Sequence, residues 1–186
     1  IKAKYTFIVQ KEHYEKYSLQ YLLNLIAPDC NIVQVDGITE GAACTTLLAK
    51  EFIDNDEPLL MANSDQFVEW DSNETLYAFS NGDCDGGILT FPASHPKWSY
   101  AKLDDDGFVS EVAEKKPISE HATVGVYWWK KGSDYVKYAE QMIEKNIRTN
   151  GEFYVCPVFN EAIEDDKRVR IKEIDKDGMW GIGTPE

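Results

Sequence analysis

The stretch PLLMANSDQF, residues 58 to 67, runs the apolar residues Leu59 to Ala62 into Asn63, Ser64 and Asp65, as a buried strand would deliver a carboxylate to its end. A carboxylate there could hold a hard cation such as Mg²⁺, which keeps several waters and takes its other ligands from substrate phosphates. Ser64 or Asp65 could equally cap the turn that follows. TEGAA, residues 39 to 43, sets Gly41 and two alanines at the start of a helical pattern. Free backbone N–H groups and little side-chain bulk suit close approach by a flat or anionic ligand, and equally suit tight packing of a helix on a sheet. EKKP, residues 114 to 117, joins an acid to two ammonium groups, one of which could meet a phosphate as a point charge while solvation is the ordinary alternative. His13, His95 and His121 have no second histidine or cysteine at metal-ligand spacing, and no G-x-S-x-G supplies a serine nucleophile.

The elements that must hold these residues fit one globular domain, 1 to 186, with 43% hydrophobic residues and so enough apolar side chain for a sizeable core. The net charge of −14, from 33 acids against 19 bases, gives no footprint for nucleic acid or an anionic membrane surface. An anionic substrate would enter with help from a divalent cation. Four cysteines, at 30, 44, 84 and 156, make no C-x-x-C pair and read as reduced thiols. No apolar run approaches the roughly 20 residues that span a bilayer, and the first residues form no secretory core, so the expectation is a soluble, cytoplasmic protein.

Along the chain, KYTFIV (4 to 9) predicts a strand, and Leu19, Leu22, Leu23 and Ile26 predict a helix that Pro28 closes. NIVQV (31 to 35) is the next strand. Cys44, Leu48 and Phe52 step by four in a second helix with Thr39 as its N-cap, and PLLMA is the third strand. This β-α-β-α-β order favours parallel pairing with right-handed crossovers. A short helix near Glu74 to Phe79 and the strand ILTF (88 to 91) follow, and then a hairpin over 99 to 114 about Asp106-Gly107. TVGVYWW (123 to 129) is strongly β, and Trp128-Trp129 reads as core or as an interface of a homo-oligomer. Helices are predicted at about 133 to 147 and 153 to 164, and final strands at 168 to 174 and 179 to 184.

Taken in order, TEGAACTTLLA, LLMANSDQF, HPKWSYAKLDDDGFVSEVAEKKPIS, ATVGVYWWKKGSDYV, NGEFYVCPVFNEAI and MWGIGTPE resemble the sugar-phosphate nucleotidyltransferases, above all the capsule-associated bacterial branch of glucose-1-phosphate thymidylyl- and uridylyltransferases. The resemblance runs from residue 5 through nearly the whole chain. It implies an α/β, Rossmann-like fold of the glycosyltransferase-A type, with a mixed, mostly parallel sheet flanked by helices. It also implies a reaction in which a sugar 1-phosphate attacks the α-phosphate of a nucleoside triphosphate and releases pyrophosphate. Such a transfer depends on positioning and charge neutralisation more than on a covalent nucleophile. By the same resemblance Asp65 holds Mg²⁺ on the nucleotide, and Ser64 joins Glu40, Gly41 and Ala42 as nucleotide-binding residues. Lys115 faces the phosphate, with Lys116 as its alternative, and Glu114 faces sugar hydroxyls. Ser99, Tyr100 and Gly125 line the sugar pocket.

Two departures stand out. The family's G-x-G-x-R loop and downstream lysine do not occur in this sequence, which implies a fragment, an N-terminal part supplied by another chain, or a chain that lacks them; without them turnover is not expected. Gly181 also falls where many members place a further metal-binding aspartate, which implies a one-metal site or a different second ligand. Two other functions remain in view. One is a glycosyltransferase of the same broad fold, for which DCD at 83 to 85 would be the metal motif, and the other is a non-catalytic sugar- or nucleotide-binding remnant.

Overall fold

The computed structural model describes residues 3–183. Thr6–Gln10 (β1) and Asn31–Val35 (β2) pair in parallel, with Thr6 opposite Asn31. Between them run Lys11–Lys16 (α1) and Leu19–Ile26 (α2). The apolar pattern does not announce α1, because its six residues carry no apolar stripe and none is buried. After β2 the single helix expected divides into Ala42–Leu47 (α3) and Lys50–Ile53 (α4). Thr39 is not the N-cap. Gly41 takes that position at φ 131°, and the Thr39 hydroxyl instead donates to the Gly41 carbonyl at 3.0 Å and meets Thr45 Oγ1 at 2.6 Å.

Leu59–Ala62 (β3) leads through a tight turn into Gln66–Val68 (β4), then into Ser72–Asn81 (α5). Asp71 caps α5 by accepting the Glu74 N–H at 2.9 Å, which starts the helix two residues before the expected Glu74. Gly86–Pro92 (β5), Ser99–Leu103 (β6), Val109–Glu114 (β7) and His121–Trp129 (β8) follow. Gly132–Glu144 (α6), Val158–Glu164 (α7), Val169–Glu173 (β9) and Met179–Gly181 (β10) complete the order. The last strand stops at Gly181, and position 184 of the expected strand lies outside the described residues.

The main sheet runs β7-β6-β8-β5-β9, with β3 also on β8. It is the expected mixed sheet flanked by helices, although antiparallel ladders predominate: β8 runs antiparallel to β3, β5 and β6, and β5 runs parallel to β9. The order β-α-β-α-β anticipates parallel neighbours for β3. Among the described residues β3 instead pairs with β8, which enters from the β6–β7 hairpin running the other way.

One face of the sheet is covered by α3, α6 and α7, whose Ala43, Tyr135, Tyr138, Val158 and Phe159 pack with Ile88 and Trp129. Trp129 stacks on Phe159 with ring centroids 4.3 Å apart. Removing a core aromatic of this kind costs roughly 3–5 kcal/mol. Strand alternation sends Trp128 to the opposite face, where it stacks on Phe79 of α5. Both tryptophans are buried, so the pair is core rather than an exposed interface. Leu89, Phe91, Tyr100, Ala122, Val124 and Val126 fill the rest of that second face against Val68 of β4 and Met179 of β10. No described helix is long and apolar enough to cross a membrane, and the four cysteines are free thiols.

Candidate active site

The cleft follows from how β8 shares its edges. Along one side β8 pairs with β5; along the other it pairs with β6 at Ala122 and with β3 from Val126 to Trp129. Between those contacts the strands part. The carboxyl end of β3, the amino end of β6 and the carboxyl end of β7 meet around Thr123 to Gly125. There the β5–β8 register slips, for Ile88 opposes Tyr127 whereas Thr90 opposes Thr123, leaving extra residues on β8. A bulge of this kind bends a strand and re-aims its side chains. Gly125 makes it possible: its φ is 75°, and a Cβ there would come within 2.3 Å of Asn63 Nδ2. The Asn63 N–H donates to the Gly125 carbonyl at 3.0 Å, tying the end of β3 to the bulge.

The resulting cleft, of about 290 Å³, is lined by Ala42, Asn63, Gln66, Ser99, Glu114 and Tyr154 among others. Ser99 and Glu114 face each other across the β6–β7 hairpin, and the Ser99 hydroxyl donates to the Glu114 carboxylate. Burial pushes the Glu114 carboxyl above its ordinary range, while the Ser99 hydrogen bond and the nearby Lys115 ammonium pull it back. Beneath them burial drives the Tyr127 phenol and the Cys156 thiol well up, so both are neutral around pH 7. The floor thus offers hydroxyls, a thiol and one partly desolvated carboxylate, a set suited to the hydroxyl groups of a polar ligand.

Lys115 follows immediately. It is exposed, sits in the left-handed region at φ 55°, and donates its backbone N–H to Trp98 O at 3.0 Å. Its Nζ donates to Tyr154 Oη at 2.6 Å, and that bond leads the effects that raise its pKa. Lys116 is exposed beside it, and of the two only Lys115 is tied to a residue that lines the cleft.

On the other side lies the loop Glu40 to Ala42. Ala42 lines the cleft, while a Cβ on Gly41 would sit 2.4 Å from Phe153 O, so only glycine passes there. Phe153 N donates to Glu40 O at 2.9 Å, and Ala43 N donates to Phe153 O at 3.0 Å. That second bond occupies one of the N–H groups expected to be free at the start of the helix. The Glu40 carboxylate is held by Arg148 rather than turned to the cleft. Arg148 also lies over the Phe153 ring, 3.9 Å from its centroid.

Asp65 stands where the sequence places it, just past β3 in the turn to β4, with Ser64 exposed beside it. Its backbone carbonyl accepts the Ile182 N–H at 2.8 Å. Its carboxylate is exposed and makes no side-chain hydrogen bond or ion pair among the described residues. Gly181 lies opposite Gln66 on β10 with open space where a side chain would project. Among the described residues no group of three or more His, Cys, Asp or Glu gathers as a metal cluster. A single free carboxylate at a strand end fits a cation that keeps its waters and shares substrate phosphates, as Mg²⁺ does, and does not fit an all-protein cage.

No protein-family profile matches the chain, and neither does any curated protein sequence. Solved structures do. A nucleoside-diphosphate-sugar pyrophosphorylase from Vibrio cholerae superposes with a TM-score of 0.84 at 22% identity, over 99% of this chain and 78% of that one. This is the fold of the sugar-phosphate nucleotidyltransferases. A protein assigned as a glucose-1-phosphate thymidylyltransferase of Bacillus anthracis matches at 0.72 with 18% identity, over 97% of this chain and 71% of its own. The inositol-1-phosphate CTP transferase of T. maritima matches at 0.68 with 13% identity, over 98% and 71%.

Within this nucleotidyltransferase fold the cleft gathers Ala42, Ser99, Glu114 and Gly125 of the residues singled out from sequence. Lys115 reaches it through Tyr154, and Gly41 adjoins it through the loop. Tyr100 does not take part. Next to Ser99 on β6 it alternates to the opposite face, is fully buried, and donates its hydroxyl to His95 O at 2.7 Å. Asn63, Gln66, Thr123, Tyr154 and Cys156 line the cleft without having been singled out. Period-two alternation from Gly125 points to Thr123, but no local pattern points to Tyr154. The DCD stretch at 83 to 85 is occupied elsewhere: Asp83 pairs with Arg168 at 2.8 Å and Arg170 at 3.1 Å, Cys84 is buried, and Asp85 accepts the Arg168 N–H at 3.1 Å.

Proposed function

We propose that this chain carries the catalytic core of a sugar-phosphate nucleotidyltransferase. It would transfer a nucleoside monophosphate from a nucleoside triphosphate to a sugar 1-phosphate or a related phosphorylated small molecule, for surface polysaccharide synthesis. A phosphate oxygen of the acceptor attacks the α-phosphorus, the bond from that phosphorus to the bridging oxygen breaks, and pyrophosphate leaves. The observation that carries the reading is the cleft itself, which sets a hydroxyl-binding floor, the Ser99–Glu114 pair and Tyr127, beside the Lys115 ammonium and next to the turn that bears Asp65.

In this reading Glu114 and Ser99 hold sugar hydroxyls, and the desolvated surroundings of Glu114 strengthen each hydrogen bond it accepts. Lys115 places a positive charge beside the acceptor phosphate, where it offsets repulsion between two anionic reactants. The Glu40–Ala42 loop presents backbone and a small side chain to the nucleotide. Asp65 would hold Mg²⁺, which when bound neutralises charge on the nucleotide phosphates. The link to surface polysaccharide comes from the sequence resemblance.

The test is a pyrophosphate-release screen of the natural polypeptide with Mg²⁺, each common nucleoside triphosphate and a panel of sugar 1-phosphates. Release that requires one triphosphate and one sugar phosphate together is the expected result. Consumption of finished nucleotide sugars in place of triphosphates would transfer the chain to the glycosyltransferases, and no release under any pairing would overturn the reading.

A further inference from the structure

We propose that Tyr154 is a positioning residue that holds the Lys115 ammonium at the cleft for an anionic group of the substrate, and that Phe153 beside it fixes the opposite loop. One dipeptide then sets both sides of the site. The inference rests on the nucleotidyl-transfer reading for the nature of the anion.

Two adjacent residues point this way. Phe153 is 1% exposed and spends its backbone on the loop, accepting from Ala43 N at 3.0 Å and donating to Glu40 O at 2.9 Å. Its ring supports Arg148, which closes the same loop through the Glu40 carboxylate. Tyr154, the next residue, turns to the cleft and accepts Lys115 Nζ at 2.6 Å, with that nitrogen 4.8 Å from the ring centroid. At the other end Lys115 is fixed by its left-handed backbone and by its bond to Trp98 O. A non-glycine residue holds such a conformation only where its surroundings over-determine it.

A flexible four-carbon side chain is a poor phosphate clamp unless something limits its rotamers. A neutral phenol oxygen does this without cancelling the charge, whereas a carboxylate in its place would compete with the phosphate. Tyr154 therefore restrains the ammonium and leaves its remaining hydrogens free for an anion. The acids nearby, Glu114 and Glu152, act on Lys115 through charge alone and add to the same upward shift.

Three variants decide the matter: Tyr154→Phe, Lys115→Met and the double variant. Each is read by amine acetylation of Lys115 against pH, where that lysine is present, and by calorimetric binding of inorganic phosphate, the charged group of the acceptor. The phenylalanine keeps the ring and its packing, so the melting temperature serves as the check on fold. Tyr154→Phe is expected to move the Lys115 acetylation curve to lower pH and weaken phosphate binding about fivefold, the loss of one hydrogen bond. In the Lys115→Met background the same change should weaken binding no further. An unmoved acetylation curve, or equal weakening in both backgrounds, would overturn the positioning role. A wild type that binds no phosphate while Tyr154→Phe still displaces the curve would overturn the nucleotidyl-transfer reading and leave the tether standing.

Discussion

On the β3–β4 turn the Asp65 carboxylate stands exposed with no side-chain partner among the described residues, whereas at the end of β7 the Glu114 carboxylate is half-buried under the Ser99 hydroxyl. The same chemical group thus sits in two environments. An exposed acid keeps its charge at little cost and suits a cation that arrives hydrated. A desolvated acid has lost water as a competitor, so a ligand hydroxyl bound there is held more firmly and more selectively. Position along the strands decides which is which, because Asp65 lies beyond a strand end while Glu114 is still paired to Ser99 in the ladder.

The sharpest way to break this contrast is at the exposed side. Asp65→Asn should remove most Mg²⁺-dependent pyrophosphate release while leaving the melting temperature unchanged, since among the described residues the carboxylate makes no side-chain hydrogen bond or ion pair; near-normal turnover would end its assignment. Lys115→Ala should lower kcat by about 10²–10³, the range for losing one preorganised donor aimed at charge that develops in the transition state. Damage from Lys116→Ala instead would move the phosphate contact one residue along.

Gly125→Ala tests the hinge between the two sides. A side chain there is strained at φ 75° and collides with Asn63, so we expect about 1–3 kcal/mol of destabilisation in chemical denaturation and a raised KM for the sugar phosphate. A variant as stable as the wild type would mean that β8 can relax its bulge freely.

Glu114→Gln sharpens the buried side. Because burial raises the folded-state pKa, the stability that Glu114 contributes is full below its unfolded value of about 4.3 and is lost as pH rises through the higher folded value. The wild type should therefore compare best with Glu114→Gln at acidic pH and worst near neutrality, as thermal melts across that window would show. Its KM for the sugar phosphate should rise at the same time. The smallest effect is expected from Ser99→Ala, which removes a hydrogen bond that favours the ionised form. The Glu114 pKa should climb further, and stability should fall by about 1 kcal/mol or less, with carboxyl NMR titration as the readout.

Much of the frame was legible in the chain. NIVQV gave β2 at its exact residues, and Asp106-Gly107 marked the β6–β7 hairpin, because strand alternation and turn chemistry are local. The end of α6 was missed where Asn146 turns left-handed at φ 54°, leaving Ile147 outside the helix and exposed. The larger error fell on residues 153 to 157, read as the start of α7 from the spacing of Val155, Phe159 and Ala162. The backbone of Phe153 goes instead to Glu40 and Ala43, more than 100 residues away in sequence, a partner that no periodicity can reveal. In the site, strand-end Asp65 and the acid–lysine pair drew notice by type and spacing, but solvation or capping suited them equally, and only the resemblance gave them roles. Tyr100 was misplaced because a resemblance names a segment, while alternation decides which of two neighbours faces the ligand.

The buried sulfur at the floor of the cleft gives the molecule a gauge of its own. Cys156 is 1% exposed and its thiol is driven far above the ordinary range, so alkylating reagents should reach it slowly and through the cleft beside Tyr154. Cys30 and Cys44 are more accessible and will be modified first, which separates them in a time course followed by peptide mass. The slow rate at Cys156 then reports access to the floor of the cleft, and any small molecule that seats there will register as protection from the reagent.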